Sequence, residues 1–164
     1  MTIMLAIVAT TLTPTSGPMR PLVRSSGCLQ LERGDGGSPV IKATVNDIGP
    51  FAFVLDTGSS GTTLDDERIK QLGLVADGPA EQAQGMGGTV DTHLFRLRRF
   101  EAGPLALHDM IVPRIVAPSL RSHDIAGLAG VDIFGRVLTT WRWDRSCLQL
   151  GKAGSKPEGS GWSA

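Results

Sequence analysis

The residues of this chain best suited to chemistry are Asp56, Thr57, Gly58 and Ser59, which follow directly on the apolar run Phe51-Ala52-Phe53-Val54-Leu55. A short run rich in Phe and Val reads as a buried strand. Gly58 and Gly61 permit a sharp reversal just after it. Asp56 is thereby set at the edge of a core, on a tight turn where backbone N–H groups and hydroxyls can hold its carboxylate. Burying apolar side chains calls for no acid at such a point. A carboxyl group held there can take or give a proton in a reaction. The plainer reading is a turn in which the Asp56 side chain only accepts local backbone N–H bonds.

The strand that delivers Asp56 needs partners and covers. Upstream, Val40-Ile41-Lys42-Ala43-Thr44-Val45-Asn46 and a turn over 46–50 form a hairpin leading into it. Downstream, Gln84-Gly85-Met86-Gly87-Gly88-Thr89 has the glycines of a hairpin tip. Later, Ile125 to Phe134 carries an apolar-apolar-Gly element, Leu128-Ala129-Gly130, ahead of a short helix. In this order the segments resemble the retropepsin-like, single-domain branch of the aspartic proteases, over roughly 28–150. Asp-Thr-Gly alone recurs by chance, whereas three elements in the right order are far more specific.

The resemblance implies an all-β fold, a single-domain closed β-barrel-like aspartic protease with one or two short helices. It implies that Asp56 is catalytic and that Thr57, Gly58 and Ser59 support its loop. Thr57 would bond across a two-fold axis to a partner loop, Gly58 would leave room for the two loops to approach, and Ser59 would bond the outer carboxylate oxygen. Gly85, Met86, Gly87 and Gly88 would form a substrate-binding flap closing over an extended peptide, with Met86 as a soft apolar contact. An ordinary hairpin turn is the alternative there. The chain contains no Tyr, so the tyrosine flap of the larger two-domain enzymes is excluded.

Two carboxyl groups a few ångströms apart can deprotonate an attacking water and protonate the peptide carbonyl, because like charges so close share one proton, a behaviour well known in aspartic proteases. Such titrations belong to the pair. The chain has one Asp-Thr-Gly, and Leu128-Ala129-Gly130 is followed by Val131-Asp132 instead. A full pair therefore requires Asp56 from two copies. The leading expectation is a homodimeric aspartic endopeptidase acting on polypeptide substrate. A catalytically weak protease-like fold used as a peptide-binding or dimerisation module is the second reading, and a β-barrel with an incidental Asp-Thr-Gly turn the third. Asp132 reads as a structural residue near a helix start. The segment Leu105 to Leu120 is expected to line part of the substrate pockets.

Composition narrows the alternatives. A chain of 164 residues with a 41% hydrophobic fraction fits one domain with spare ends. Twenty-one glycines between short β-like runs favour a turn-rich β architecture. Sixteen basic and sixteen acidic residues cancel, so no global field draws the chain to nucleic acid or an anionic membrane. Arg96, Arg98 and Arg99 alternate with Leu97 and Phe100 and read as a solvated strand face. His93, His108 and His123 are scattered, and no metal site or cofactor is expected.

The ends are read separately. Residues 1–27 form a leader whose apolar part, Ile3 to Ala9, is too short for a stable membrane span and lacks the positive start of a signal peptide. A clipped export signal, a mis-assigned start and a plain leader all fit; an exported or periplasmic location is the first reading and the cytoplasm the alternative. Residues 151–164 read as a flexible tail. Cys28-Leu29-Gln30-Leu31 recurs as Cys147-Leu148-Gln149-Leu150. In the family resembled, terminal strands of two subunits interleave, which suggests neighbouring strands for Cys28 and Cys147, within or between chains. A disulfide in an oxidising compartment and two buried thiols in a reducing one both fit. Short helices are expected over Asp65–Gly73 and Val131–Val137, one strand over Thr89–Leu97, two strands within Leu105–Val116 split near His108 and Asp109, and a closing hairpin of Leu138–Trp143 with Cys147–Leu150.

Overall fold

Alternation of apolar and polar residues on Pro39–Val45 and Ile48–Leu55 turns Ile41, Ala43, Val45, Phe53 and Leu55 to one buried face. Asn46 and Asp47 join the two strands with φ of 51° and 67°, the paired left-handed conformation of a tight hairpin turn that Asn and Asp tolerate. The computed structural model describes residues 22–23, 27–85, 88–135 and 137–151. Most of the leader, the tail beyond Gly151, and Met86 and Gly87 at the expected flap tip lie outside the described residues.

In chain order the strands are β1 (Leu22–Val23), β2 (Gly27–Gln30), β3 (Glu32–Arg33), β4 (Pro39–Val45), β5 (Ile48–Leu55), β6 (Leu64–Asp65) and β7 (Glu81–Gly85). They continue with β8 (Gly88–Thr92), β9 (Leu94–Ala102), β10 (Leu105–Ile115), β11 (Ile125–Ala129), β12 (Leu138–Arg142) and β13 (Cys147–Gly151). The helices α1 (Asp66–Gln71) and α2 (Pro118–Arg121) are brief.

The main sheet runs β1-β10-β9-β4-β5-β11, with β3 beside β4 and β6 beside β10. Its two ends are brought together by the segment after Asp56. There β6 runs parallel to the end of β10, and the Thr63 N–H donates to the Leu128 carbonyl of β11 at 2.9 Å. The sheet is thus a nearly closed barrel, as the resemblance implied. Its interior is filled by Ile41, Phe53, Leu97, Phe100, Leu107, Met110 and their neighbours, with the Phe53 and Phe100 rings meeting edge to face at 5.3 Å. β12, β13 and β2 form a separate three-stranded sheet, and among the described residues β7 pairs with β8 alone.

Three expectations are corrected. Leu105–Ile115 is one strand, not two; Asp109 sits at φ 54° and bends it, so Leu105, Ala106 and Leu107 are buried consecutively and the alternation resumes in a new phase at Met110. The helix after Gly130 is only a 3-10 turn over Val131–Ile133. Thr89–Leu97 is interrupted at His93, where β8 gives way to β9. The helix expected over Asp65–Gly73 is present as α1. The Asp65 carboxylate caps it by accepting the Glu67 N–H at 3.1 Å, and Gly73 ends it at φ 62°. Arg96 and Arg98 are exposed on β9, and Arg99 pairs with Asp47 and Glu101.

Cys28 and Cys147 lie on adjacent antiparallel strands, β2 and β13, of the same chain and are joined in a disulfide, with their Cα atoms 5.6 Å apart. The terminal strands therefore pair within one chain. Among the described residues no helix is long and apolar enough to cross a membrane.

Candidate active site

β5 ends at Leu55 with its apolar side chains spent on the core, and the chain turns at once. The Asp56 N–H donates to the Ala129 carbonyl of β11 at 3.0 Å, which fixes where the acid leaves the sheet. The Gly58 N–H donates to Asp56 Oδ1 at 2.9 Å, and the Ser59 N–H to the Asp56 carbonyl at 3.2 Å. A side chain at position 58 would set its first carbon 3.2 Å from that same Oδ1, so glycine there keeps the carboxylate clear. The Ser59 hydroxyl, expected on the carboxylate, donates within the single chain to the Gly61 carbonyl at 2.7 Å. Asp56 is half-buried while Thr57 and Gly58 are exposed, so the loop presents its acid at an open surface.

The loop is held from behind by β11 and the turn after it. The β5–β11 pairing is parallel, with Leu128 opposite Val54 and Ala129 opposite Leu55. A Cβ on Gly127 would lie 2.1 Å from the Thr63 carbonyl oxygen, and one on Gly130 would lie 2.6 Å from the Gly61 carbonyl. Backbone meets backbone at both places, which only glycine allows. The Val131 N–H then donates to the Ser59 carbonyl at 3.0 Å. Asp132 closes the interlock: Oδ2 accepts the Thr62 N–H at 2.9 Å and Oδ1 the Thr62 hydroxyl at 2.7 Å. The Thr62 hydroxyl oxygen in turn accepts the Gly130 N–H at 3.2 Å. Asp132 is the structural residue expected, but its target is the Asp56 loop rather than its own helix. Thr62 was not singled out from sequence; two threonines directly after the glycines of an acid-bearing turn are the available signal.

The other carboxylates following this loop are engaged. Asp65 is buried, accepting Arg121 Nε at 2.8 Å and the Glu67 and Ala117 N–H groups. Burial alone would raise its pKa, but the Arg121 bond and the two N–H groups outweigh it and hold the carboxyl below its ordinary value. Lys70 Nζ donates to Asp66 at 2.6 Å and lowers that carboxyl as well. With Asp132 committed to Thr62, Asp56 is the acid of this region left facing outward. Among the described residues no group of His, Cys, Asp and Glu is gathered to hold a metal ion.

The β7–β8 hairpin carries Gly85 opposite Gly88 at its far end. Glu81, Gln82, Gln84, Thr89, Val90 and Asp91 are exposed along it, and Thr92 roots it by donating to the Arg114 carbonyl at 2.8 Å. A groove of about 450 Å³ lies on the outer side of β4, β5 and β11, over Val40, Ala52, Val54, Ile125 and Leu128. Of the segment Leu105–Leu120 expected to line pockets, only Ser119 and Leu120 reach this groove.

Comparison with known proteins agrees with this geometry. The family model described as aspartyl protease matches residues 41–133. The fold is similar to that of a retropepsin-like aspartic protease from Rickettsia conorii, at 20% identity and a TM-score of 0.53, over 80% of this chain and 93% of that one. No match is found among curated proteins.

Proposed function

The chain belongs to the aspartyl protease family and has a retropepsin-like fold, and from that premise we propose that it is an aspartic endopeptidase whose working site forms when two copies bring their Asp56 carboxyls together. The observation that carries this reading is the asymmetry among its acids. Asp65, Asp66 and Asp132 are each bonded to a partner within the chain, while Asp56 stands on an exposed loop with one N–H bond. One such carboxyl cannot both activate a water and protonate a carbonyl. A two-fold axis through the loop supplies its equal, and residues 28–150 form the unit that dimerises.

In that site the ionised Asp56 accepts a proton from water as it attacks, and the protonated Asp56 of the second copy donates to the peptide carbonyl oxygen. The Thr57 side chain, exposed beside the acid, braces the two loops across the axis. The β7–β8 hairpin, whose strands pair with each other and with no further strand among the described residues, covers an extended substrate and bonds its backbone as an added strand. Gly85, Met86, Gly87 and Gly88 form its tip.

Asp56→Asn tests the reading. The amide keeps an oxygen to accept the Gly58 N–H, so the fold should survive, while hydrolysis of casein or a peptide library between about pH 4 and 7 should fall by about 10³-fold or more. A variant as active as the parent contradicts it.

A further inference from the structure

The disulfide that joins the terminal strands has two unlike ends. β13 is the central strand of its sheet, where Cys147 faces Arg142 of β12 on one side and Gln30 of β2 on the other. Flanked in this way, Cys147 is fully buried. β2 is an edge strand, with no further partner strand among the described residues. Alternation turns Leu29 into the core and leaves Cys28 and Gln30 exposed on the opposite face. A molecule arriving from solvent therefore meets Cys28 and not Cys147.

Apart from that bond, β2 is lightly attached. It is four residues long, buries one side chain, and pairs with β13 alone among the described residues. So short a pairing is marginal without further support. The Leu31 N–H donates to the Ser146 carbonyl at 2.8 Å, and the next strand, β3, is already fastened to β4. The Asp56 loop is braced by β5, β11 and Asp132, and none of those bonds involves β2. Release of β2 thus leaves the support of the acid in place.

A bond serving only as a staple gains nothing from an exposed end, and exposed disulfides are the ones that thiols open. We propose that Cys28–Cys147 is a thiol-operated clasp, with Cys28 the site of S-thiolation by a small thiol of the glutathione class. The thiolate attacks Cys28 Sγ and forms a new S–S bond there. The old bond breaks, its electron pair goes to Cys147 Sγ, and that sulfur takes a proton from water. β2 is then released from β13. A second thiolate attacks the small thiol's sulfur in the adduct and frees Cys28. The chain has gained two electrons as a dithiol, and the two small thiols have lost them as one disulfide. That small disulfide reverses both steps. With two cysteines in the chain, re-closure within a molecule has one possible pairing.

The full-length parent is treated with reduced glutathione at about pH 8, quenched in acid at stepped times, and mapped by mass spectrometry. The first adduct should sit on Cys28, at least about fivefold over Cys147. Hydrogen exchange of the treated protein should show residues 27–31 losing protection first, at least about tenfold faster than β4 and β5. Single thiols add a second check: glutathione disulfide should modify C147S and spare folded C28S. An adduct mainly on Cys147, or none until urea unfolds the chain, overturns the clasp. Equal reaction of folded C28S and C147S, or β2 and the barrel exchanging together, also overturns it. Should the variants fail to fold, the mapping of the parent decides. No readout uses peptide cleavage, so none of these outcomes bears on the endopeptidase reading.

Discussion

Asp56 and Asp65 are nine residues apart by number and opposite in circumstance. Asp56 keeps one N–H bond and an open face, whereas Asp65 is bound by Arg121 and two backbone N–H groups. The Asp65 carboxyl is held below its unfolded value of about 3.9, so its bonds stabilise the fold fully above about pH 4 and lose that contribution as pH falls through the lower folded value. Asp65→Asn should therefore weaken the protein by roughly 2–3 kcal/mol near pH 6, since it leaves the Arg121 guanidinium without its charge partner. Below pH 4 the parent should converge towards the variant. Urea unfolding at stepped pH values checks this, and stability curves that stay parallel down to about pH 3 would contradict it.

At the scale of elements, local pattern and distant contact divide what the sequence discloses. β4 and β5 are plain in Val-Ile-Lys-Ala-Thr-Val and Phe-Ala-Phe-Val-Leu because apolar residues alternate there. α1 is plain because Asp65 and Gly73 mark its ends. The acid-bearing turn is plain for the same local reasons. α2 is not: four residues, with no buried side chain, exist chiefly to deliver Arg121 to a carboxylate 56 positions earlier. The bend at Asp109 is hidden because three consecutive buried residues mimic the end of one strand and the start of another. The bond from Thr62 to Asp132, across 70 positions, has no local signature either. The glycines of the apolar-apolar-Gly element are visible as a motif, but their reason, contact with the backbone behind Asp56, appears only in three dimensions. Gly130→Ala should force that contact apart, costing about 3 kcal/mol, lowering Tm by about 10 °C and removing peptidase activity. Gly61→Ala, which meets nothing within 4 Å, serves as the neighbouring control and should stay within about 0.5 kcal/mol of the parent. Equal melting of the two variants would show that the interlock does not position the loop.

Across the whole molecule, the barrel presents the acid and the terminal sheet ties the chain's two ends together. The disulfide between Cys28 and Cys147 spans 119 positions, so it removes much of the freedom of the unfolded chain. Loops of that length correspond to about 5 kcal/mol in the chain-entropy account. Melting with and without reductant should show a loss of that order, and a protein equally stable in both would contradict it. Because β2 pairs with β13 in its own chain, the proposed dimer does not need terminal strands exchanged between copies to complete this sheet. What it does need is the second Asp56. Mixing equal amounts of parent and Asp56→Asn chains, with time for subunits to exchange, tests that need most directly. If each site draws one carboxyl from each copy, activity per total protein should fall to about one quarter of the parent's, since only parent–parent pairs work. A value of about one half, as independent single-chain sites would give, would contradict the shared site.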